Sequence, residues 1–179
     1  MEHQRISIVE YNEVWPSLYD SERRIIAELL GDDLVHVEHI GSTSVPGLAA
    51  KAVIDMMAGV DRLENVQVKL PLLANLGYAV IETGMSGRIF LRRETGDVAY
   101  HLHIVPSEGF YERNEVLLRD YLREHAELRH EYADLKRGLA QAMGDNHAGY
   151  TAAKTDFIQK VVDLARRERG SPRVEVWED

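Results

Sequence analysis

The stretch from Val35 to Val60 constrains this chain most. The apolar, β-branched run Val35, Val37 and Ile40 meets the small polar turn Gly41-Ser42-Thr43-Ser44. After a short linker ending in Lys51, a second apolar run, Val53-Ile54-Asp55-Met56-Met57-Ala58-Gly59-Val60, carries one carboxylate in its middle. The pattern reads as strand, phosphate-type loop, strand. Gly41 and Ser42 let the backbone pass close to a ligand, and the hydroxyls of Ser42, Thr43 and Ser44 with their successive N–H groups can line an anion. A tight structural turn is the alternative use of the same residues. An ionised carboxylate in so apolar a run is costly to bury unless it meets a cation, a metal or hydrogen-bond donors, so Asp55 is expected at an open strand end, in a working role.

The remainder of the chain is expected to supply a mixed sheet with flanking helices, followed by a helical region, an α/β (α+β) class. Residues 5–11 alternate loosely and form a short edge strand or an extended arm. Pro16 suits the first turn of a helix whose apolar positions are Leu18, Ile25, Ile26, Leu29 and Leu30, with Glu22, Arg23 and Arg24 toward solvent and Gly31 at its end. Asp61 with Val66, Leu70, Leu73 and Leu76 predicts one helix ending at Gly77. Tyr78–Ile81 and Arg88–Arg93 follow as strands, with a turn over Gly84–Gly87 between them. A hairpin turn over Glu94–Asp97 then leads into the strand Val98–Val105. From Phe110 the spacing becomes helical, with stripes at Leu117, Leu118, Tyr121, Leu122 and at Leu128, Tyr132, Leu135, Leu139, Met143, and a last helix capped by Thr151. One domain over 1–170 is expected, sheet-rich over 1–107 and helical over 110–169, with a tail over 171–179 that is loose or docked through Trp177.

Charge and composition narrow the function classes. A net charge of −9 and a pI near 5.4 argue against non-specific nucleic-acid binding, which needs clustered Lys and Arg, but leave a small phosphorylated ligand open. With no cysteine, disulfides, thiolate nucleophiles and sulfur-ligated metals are excluded. No apolar run is long enough to span a bilayer and no signal pattern opens the chain, so a cytoplasmic protein is expected, not a membrane one. The oligomeric state is left open.

Several polar residues are candidates around Asp55. His101 and His103 share one face of their strand by alternation, and two imidazoles at this spacing plus one carboxylate can hold a divalent ion such as Mg, Mn or Zn. The alternative is a metal-free polar network of Asp55, His101 and His103. Lys51 and Lys154 can supply the positive charge an anion needs, or be surface lysines. Arg88, Arg92 and Tyr150 rank behind them. His39 either holds the Gly-Ser turn by a ring hydrogen bond or serves a ligand or a proton, and His36 and Glu38 are expected on an exposed strand face.

The segment His39-Ile40-Gly41-Ser42-Thr43-Ser44-Val45-Pro46-Gly47-Leu48 leading into Ile54-Asp55 resembles the GrpB (UPF0157) family. Further similarity lies at Val9-Glu10-Tyr11 with Trp15, at His101-Leu102-His103, at Arg119-Asp120-Tyr121-Leu122-Arg123 and at Tyr150 through Ile158, so it spans nearly the whole chain. That family looks like an outlying branch of the nucleotidyltransferase superfamily. The resemblance implies a nucleotidyltransferase-like fold and a nucleoside triphosphate or other phosphorylated small molecule bound at Gly41-Ser42 with Asp55, with metal-assisted nucleotidyl transfer as the expected reaction where there is one. In active nucleotidyltransferases a second acid follows two residues after the first, and here that position is Met57. Positions i and i+2 of a strand share a face, roughly 6–7 Å apart. A binding module that has lost its chemistry is therefore the alternative to an enzyme.

Overall fold

The computed structural model describes residues 5–85 and 87–176. Its strands are β1 (Leu34–Ile40), β2 (Val53–Val60), β3 (Ala79–Val80), β4 (Ile89–Thr95) and β5 (Val98–Pro106). They form one mixed sheet in the order β1-β2-β5-β4-β3, in which only β2 and β5 run parallel. The helices are α1 (Trp15–Leu30), α2 (Leu63–Gln67), α3 (Leu70–Asn75), α4 (Asn114–Glu124), α5 (Ala126–Met143), α6 (His147–Ala152) and α7 (Thr155–Glu168). The α+β class expected from the pattern is the one observed. Among the described residues no helix is long and apolar enough to cross a membrane.

Alternation along the strands divides the buried residues between two faces. Ile54, Met56 and Ala58 of β2, with Leu102 and Ile104 of β5 and Leu91 of β4, pack against Ile26 and Leu30 of α1, Val66 of α2 and Leu73 of α3. The opposite face carries Asp55 and Met57 of β2 beside His101 and His103 of β5, in the register Asp55↔His101 and Met57↔His103. Beyond Gly41, the linker residues Val45, Leu48 and Ala49 enter a second core with Leu117 and Leu122 of α4, Leu128 and Tyr132 of α5, and Phe157 and Val161 of α7. The helical region thus roofs the loop between β1 and β2, so helix side chains can reach the Asp55 face.

Of the two forms expected for residues 5–11 the extended arm is the one observed, with one antiparallel bridge, Val9 to Ala50. Other expectations are corrected. The single helix expected over 61–77 is two short ones, because Pro71 lacks the N–H that would continue α2 and instead opens α3. Thr151 lies inside α6, whose cap is Asn146, its side-chain oxygen accepting from the Gly149 N–H at 2.9 Å. The tail docks on α7 through Val176, whose N–H donates to Gln159 Oε1 at 3.0 Å. Trp177 lies outside the described residues, as does Ser86 in the turn expected over Gly84–Gly87.

Glu22 does not face solvent: it is 3% exposed. Its carboxylate accepts from Tyr78 OH at 2.8 Å and pairs with Arg93, whose guanidinium lies over the Tyr100 ring at 4.6 Å. Removing one member of a buried pair leaves the other charge uncompensated, which costs about 3–5 kcal/mol. Glu22→Leu is therefore expected to destabilise the fold by about 3 kcal/mol in urea unfolding; a loss under about 1 kcal/mol would show that Arg93 finds water.

Candidate functional site

The Gly-Ser turn is built around Asp55. Gly41 has φ 69° and ψ −176°, a conformation open to glycine almost alone. A Cβ at this position would fall into the Asp55 side chain, 2.9 Å from its Cγ. The turn therefore lies against the carboxylate only because residue 41 has no side chain.

Most of the polar groups of the turn are spent within the protein. Ser44 Oγ donates to Gly41 O at 2.6 Å, and Thr43 Oγ1 donates to Val53 O at 2.7 Å. The Thr43 hydroxyl has one proton, so its contact with His39 Nε2 at 3.0 Å has the imidazole as donor. Burial pushes the His39 ring down to about 4, and it stacks on Tyr19 at 4.7 Å between centroids. His39 is thus a neutral ring that holds the loop. Thr43 and Ser44 are buried at 1% and 4% exposure, which leaves Ser42 as the hydroxyl able to meet a ligand.

The helical region grips the same loop with cations. Arg123 of α4 donates to Ser44 O from Nε at 3.0 Å and from Nη2 at 2.8 Å. Arg119 of α4 donates from Nη1 to Glu38 Oε2 at 2.7 Å and to His39 O at 3.0 Å. The face carrying His36 and Glu38 is therefore half-buried and not fully open as expected, with His36 packed 5.0 Å from the Phe110 ring centroid. Lys136 of α5 is 2% exposed, and its Nζ donates to Ser42 Oγ at 2.9 Å and to Ala49 O at 2.6 Å.

Lys136 was not among the sequence candidates. Its signal was present, since it falls one helical turn after Tyr132 on the apolar stripe of α5, where a lysine must find a polar partner. Burial lowers its ammonium to about 7, with repulsion from Lys154 and Arg137 adding and Asp55 opposing. Lys154 is lowered to about 8 by burial and by Lys51. Lys51 is lowered by burial too, against the pull of Asp55. The Tyr150 ring, itself 1% exposed, carries both Lys51 Nζ, 4.8 Å from its centroid, and Lys154 Nζ at 4.4 Å. Three lysines thus gather around Asp55, Ser42 and Tyr150.

The histidine pair takes up the far side of the carboxylate. His101 Nδ1 lies 3.0 Å from Asp55 Oδ1, and both side chains are 25% exposed. A carboxylate only accepts, so Nδ1 carries the proton. Burial opposes the charge on Asp55, but the hydrogen bond from His101 outweighs it and holds the carboxyl below its ordinary value. His103 stacks on Phe90 at 4.5 Å and its Nδ1 faces Arg88 Nη1 at 3.3 Å. Burial, helped by Arg88 and opposed by Asp55, lowers His103 to about 4. Arg88 also donates to Glu115 Oε1 of α4 at 2.8 Å, and Arg92 pairs with Glu94 at the surface.

These residues do not fit the divalent site envisaged for Asp55, His101 and His103. Among the described residues no group of three His, Cys, Asp or Glu side chains is placed to hold a metal ion. The geometry gives the reason: His101 directs a proton, not a lone pair, at Asp55, and a guanidinium stands at His103. Met57, where a second acid would stand, is fully buried with Ile40, Val105, Phe110 and Val116.

A solved relative of the chain shares this architecture. The crystal structure of conserved protein GrpB from Enterococcus faecalis superposes with a TM-score of 0.85 at 33% identity, covering 92% of this chain and 100% of that one. UPF0157 protein BH1888 of Halalkalibacterium halodurans is 35% identical over 164 residues, 89% of this chain and 82% of the relative. UPF0157 protein YqkA of Bacillus subtilis is 33% identical over 166 residues, 92% of this chain but 48% of the relative, so the chain spans about half the length of YqkA. The sequence profile described as GrpB protein matches residues 5–164, and the chain belongs to the GrpB family.

Proposed function

We propose that this chain binds a phosphorylated small molecule, of the nucleoside triphosphate class that the family resemblance implies, in the space bounded by Ser42, Asp55, Lys51, Lys136 and Lys154. The observation that carries the reading is the set of three ammonium groups, none ion-paired with a carboxylate within 4 Å among the described residues, gathered in a chain of net charge −9. Elsewhere on the molecule cations meet acids, as Arg119 meets Glu38 and Asp120, and Arg137 meets Glu10. Like charges held together in partial burial repel one another, and an anion of matching charge relieves that repulsion. The single carboxylate among them orients His101.

Calorimetric titration with ATP, CTP, GTP, UTP and pyrophosphate tests the reading. Saturable binding is expected, and its pH dependence has a fixed sign. An anion binds the protonated lysines, so above its free-state value each lysine must first take up a proton. Affinity is therefore expected to fall as pH rises through 7, the region of Lys136, and again through 8, that of Lys154, by up to about tenfold per pH unit for each. No binding by any of these anions would remove the reading, and affinity independent of pH from 7 upward would remove the two lysines from the site.

Whether the bound molecule reacts is a separate question. The buried Met57 favours a binding module, and the hydrogen-bonded pair of Asp55 and His101 favours group transfer. Neither reading requires the protein itself to hold a metal.

A further inference from the structure

Three histidines surround Asp55 or its loop, and their ring nitrogens are used differently. His39 spends Nε2 on Thr43 inside the protein. His103 lies flat on Phe90 with Nδ1 toward Arg88. His101 commits only Nδ1, as donor to Asp55, and among the described residues nothing hydrogen-bonds its Nε2. The Phe90 ring meets its edge at 5.3 Å between centroids and restrains the imidazole, and the side chain remains 25% exposed. A neutral imidazole whose Nδ1 proton is fixed by a carboxylate presents a lone pair on Nε2, and any positive charge gained there is stabilised through Nδ1.

Resting on the triphosphate reading above, we propose that His101 Nε2 is a nucleophile that accepts the nucleotidyl group. Nε2 attacks the α-phosphorus, the P–N bond forms, the bond from that phosphorus to the bridging oxygen breaks, and pyrophosphate leaves with the electron pair. The proton on Nδ1 stays in place, so the product is a nucleotidyl-imidazolium facing the Asp55 carboxylate. Lys51, Lys136 and Lys154 supply the positive charge that the departing pyrophosphate needs. A hydroxyl or water oxygen then attacks the phosphorus, the P–N bond breaks with its electron pair returning to Nε2, and the proton of the attacking oxygen passes to solvent, which leaves the ring neutral. This route needs no second acid at position 57, because the attacking atom is a ring nitrogen whose lone pair is available without deprotonation.

The test uses the full chain incubated in magnesium buffer with each of the four nucleoside triphosphates labelled in the α-phosphate, and in parallel with γ-labelled ATP, quenched in alkali. Expected is α-label on the protein, approaching one per chain, stable to alkali, released by acid and mapped to His101. His101→Asn keeps an N–H donor for Asp55, so it is expected to retain triphosphate binding by calorimetry while taking up no label. Binding without α-label would overturn the nucleophile and leave the anion site standing, and absence of binding would overturn both. Label that resists acid, that survives in His101→Asn, or that arises only from the γ-phosphate would also overturn the proposal.

Discussion

Lys136→Met is expected to weaken triphosphate binding by about ten- to a hundredfold, the range set by one charge-assisted hydrogen bond of about 1.5–3 kcal/mol. The substitution keeps much of the side-chain volume over the Tyr132 ring, 4.5 Å from the ammonium, but removes the donor to Ser42 Oγ and to Ala49 O. Two effects on stability oppose each other. Ala49 O loses its cationic partner, which costs about 1–3 kcal/mol if nothing replaces it, while an ammonium no longer has to be desolvated at 2% exposure. The net change in chemical unfolding is accordingly expected to stay within about 1.5 kcal/mol. Unchanged affinity in a folded Lys136→Met protein would show that this lysine serves the loop alone.

Gly41→Ala is expected to be the more damaging change, with about 3 kcal/mol of stability lost and no measurable triphosphate binding. The backbone at φ 69° and ψ −176° is strained for any residue with a Cβ. The added carbon also lands 2.9 Å from Asp55 Cγ, so either the carboxylate leaves His101 or the turn leaves the sheet. Combining Gly41→Ala with Asp55→Ala removes the contacts with the carboxyl group but keeps the backbone strain and the 2.9 Å contact with the Cβ of residue 55. Partial recovery of stability without recovery of binding is the expected result of unfolding and titration on the set. A Gly41→Ala protein as stable as the parent would show that the turn relaxes elsewhere.

The sheet half of the site was legible because it is written in local pattern. Alternation put His101 and His103 on one face, and the structure adds that this face adjoins Asp55, with Asp55 opposite His101. The Gly-Ser turn between two apolar runs was equally plain. What local pattern cannot carry is which hydroxyl points where. Thr43 and Ser44 looked like ligand donors, yet their bonds to Val53 O and Gly41 O follow from the way the loop curls beneath α4 and α5.

The helical half was less legible for a different reason. Lys136 meets Ser42 and Ala49 across 94 and 87 residues of chain, and nothing in α5 names those partners. Glu22 was assigned to solvent on the same logic, that a charged residue on an amphipathic helix faces outward, and the pairing with Arg93 of β4 across 71 residues reverses it. In both places a charge stands on a face that packing buries, and that conflict between pattern and residue type was the available sign. Only at Lys136 does the conflict lie at the candidate site; at Glu22 it serves the seam between α1 and the sheet.

The most direct test of the three-lysine site is the number of protons taken up when ATP binds near pH 8, obtained by calorimetry in two buffers of different ionisation enthalpy. Lys136, at about 7, is mostly neutral there and Lys154, at about 8, is half protonated, so anion binding that recharges them is expected to draw in about one proton or more per ATP. Binding with no proton uptake at that pH would contradict the account, since the anion would then be held by groups that do not change charge.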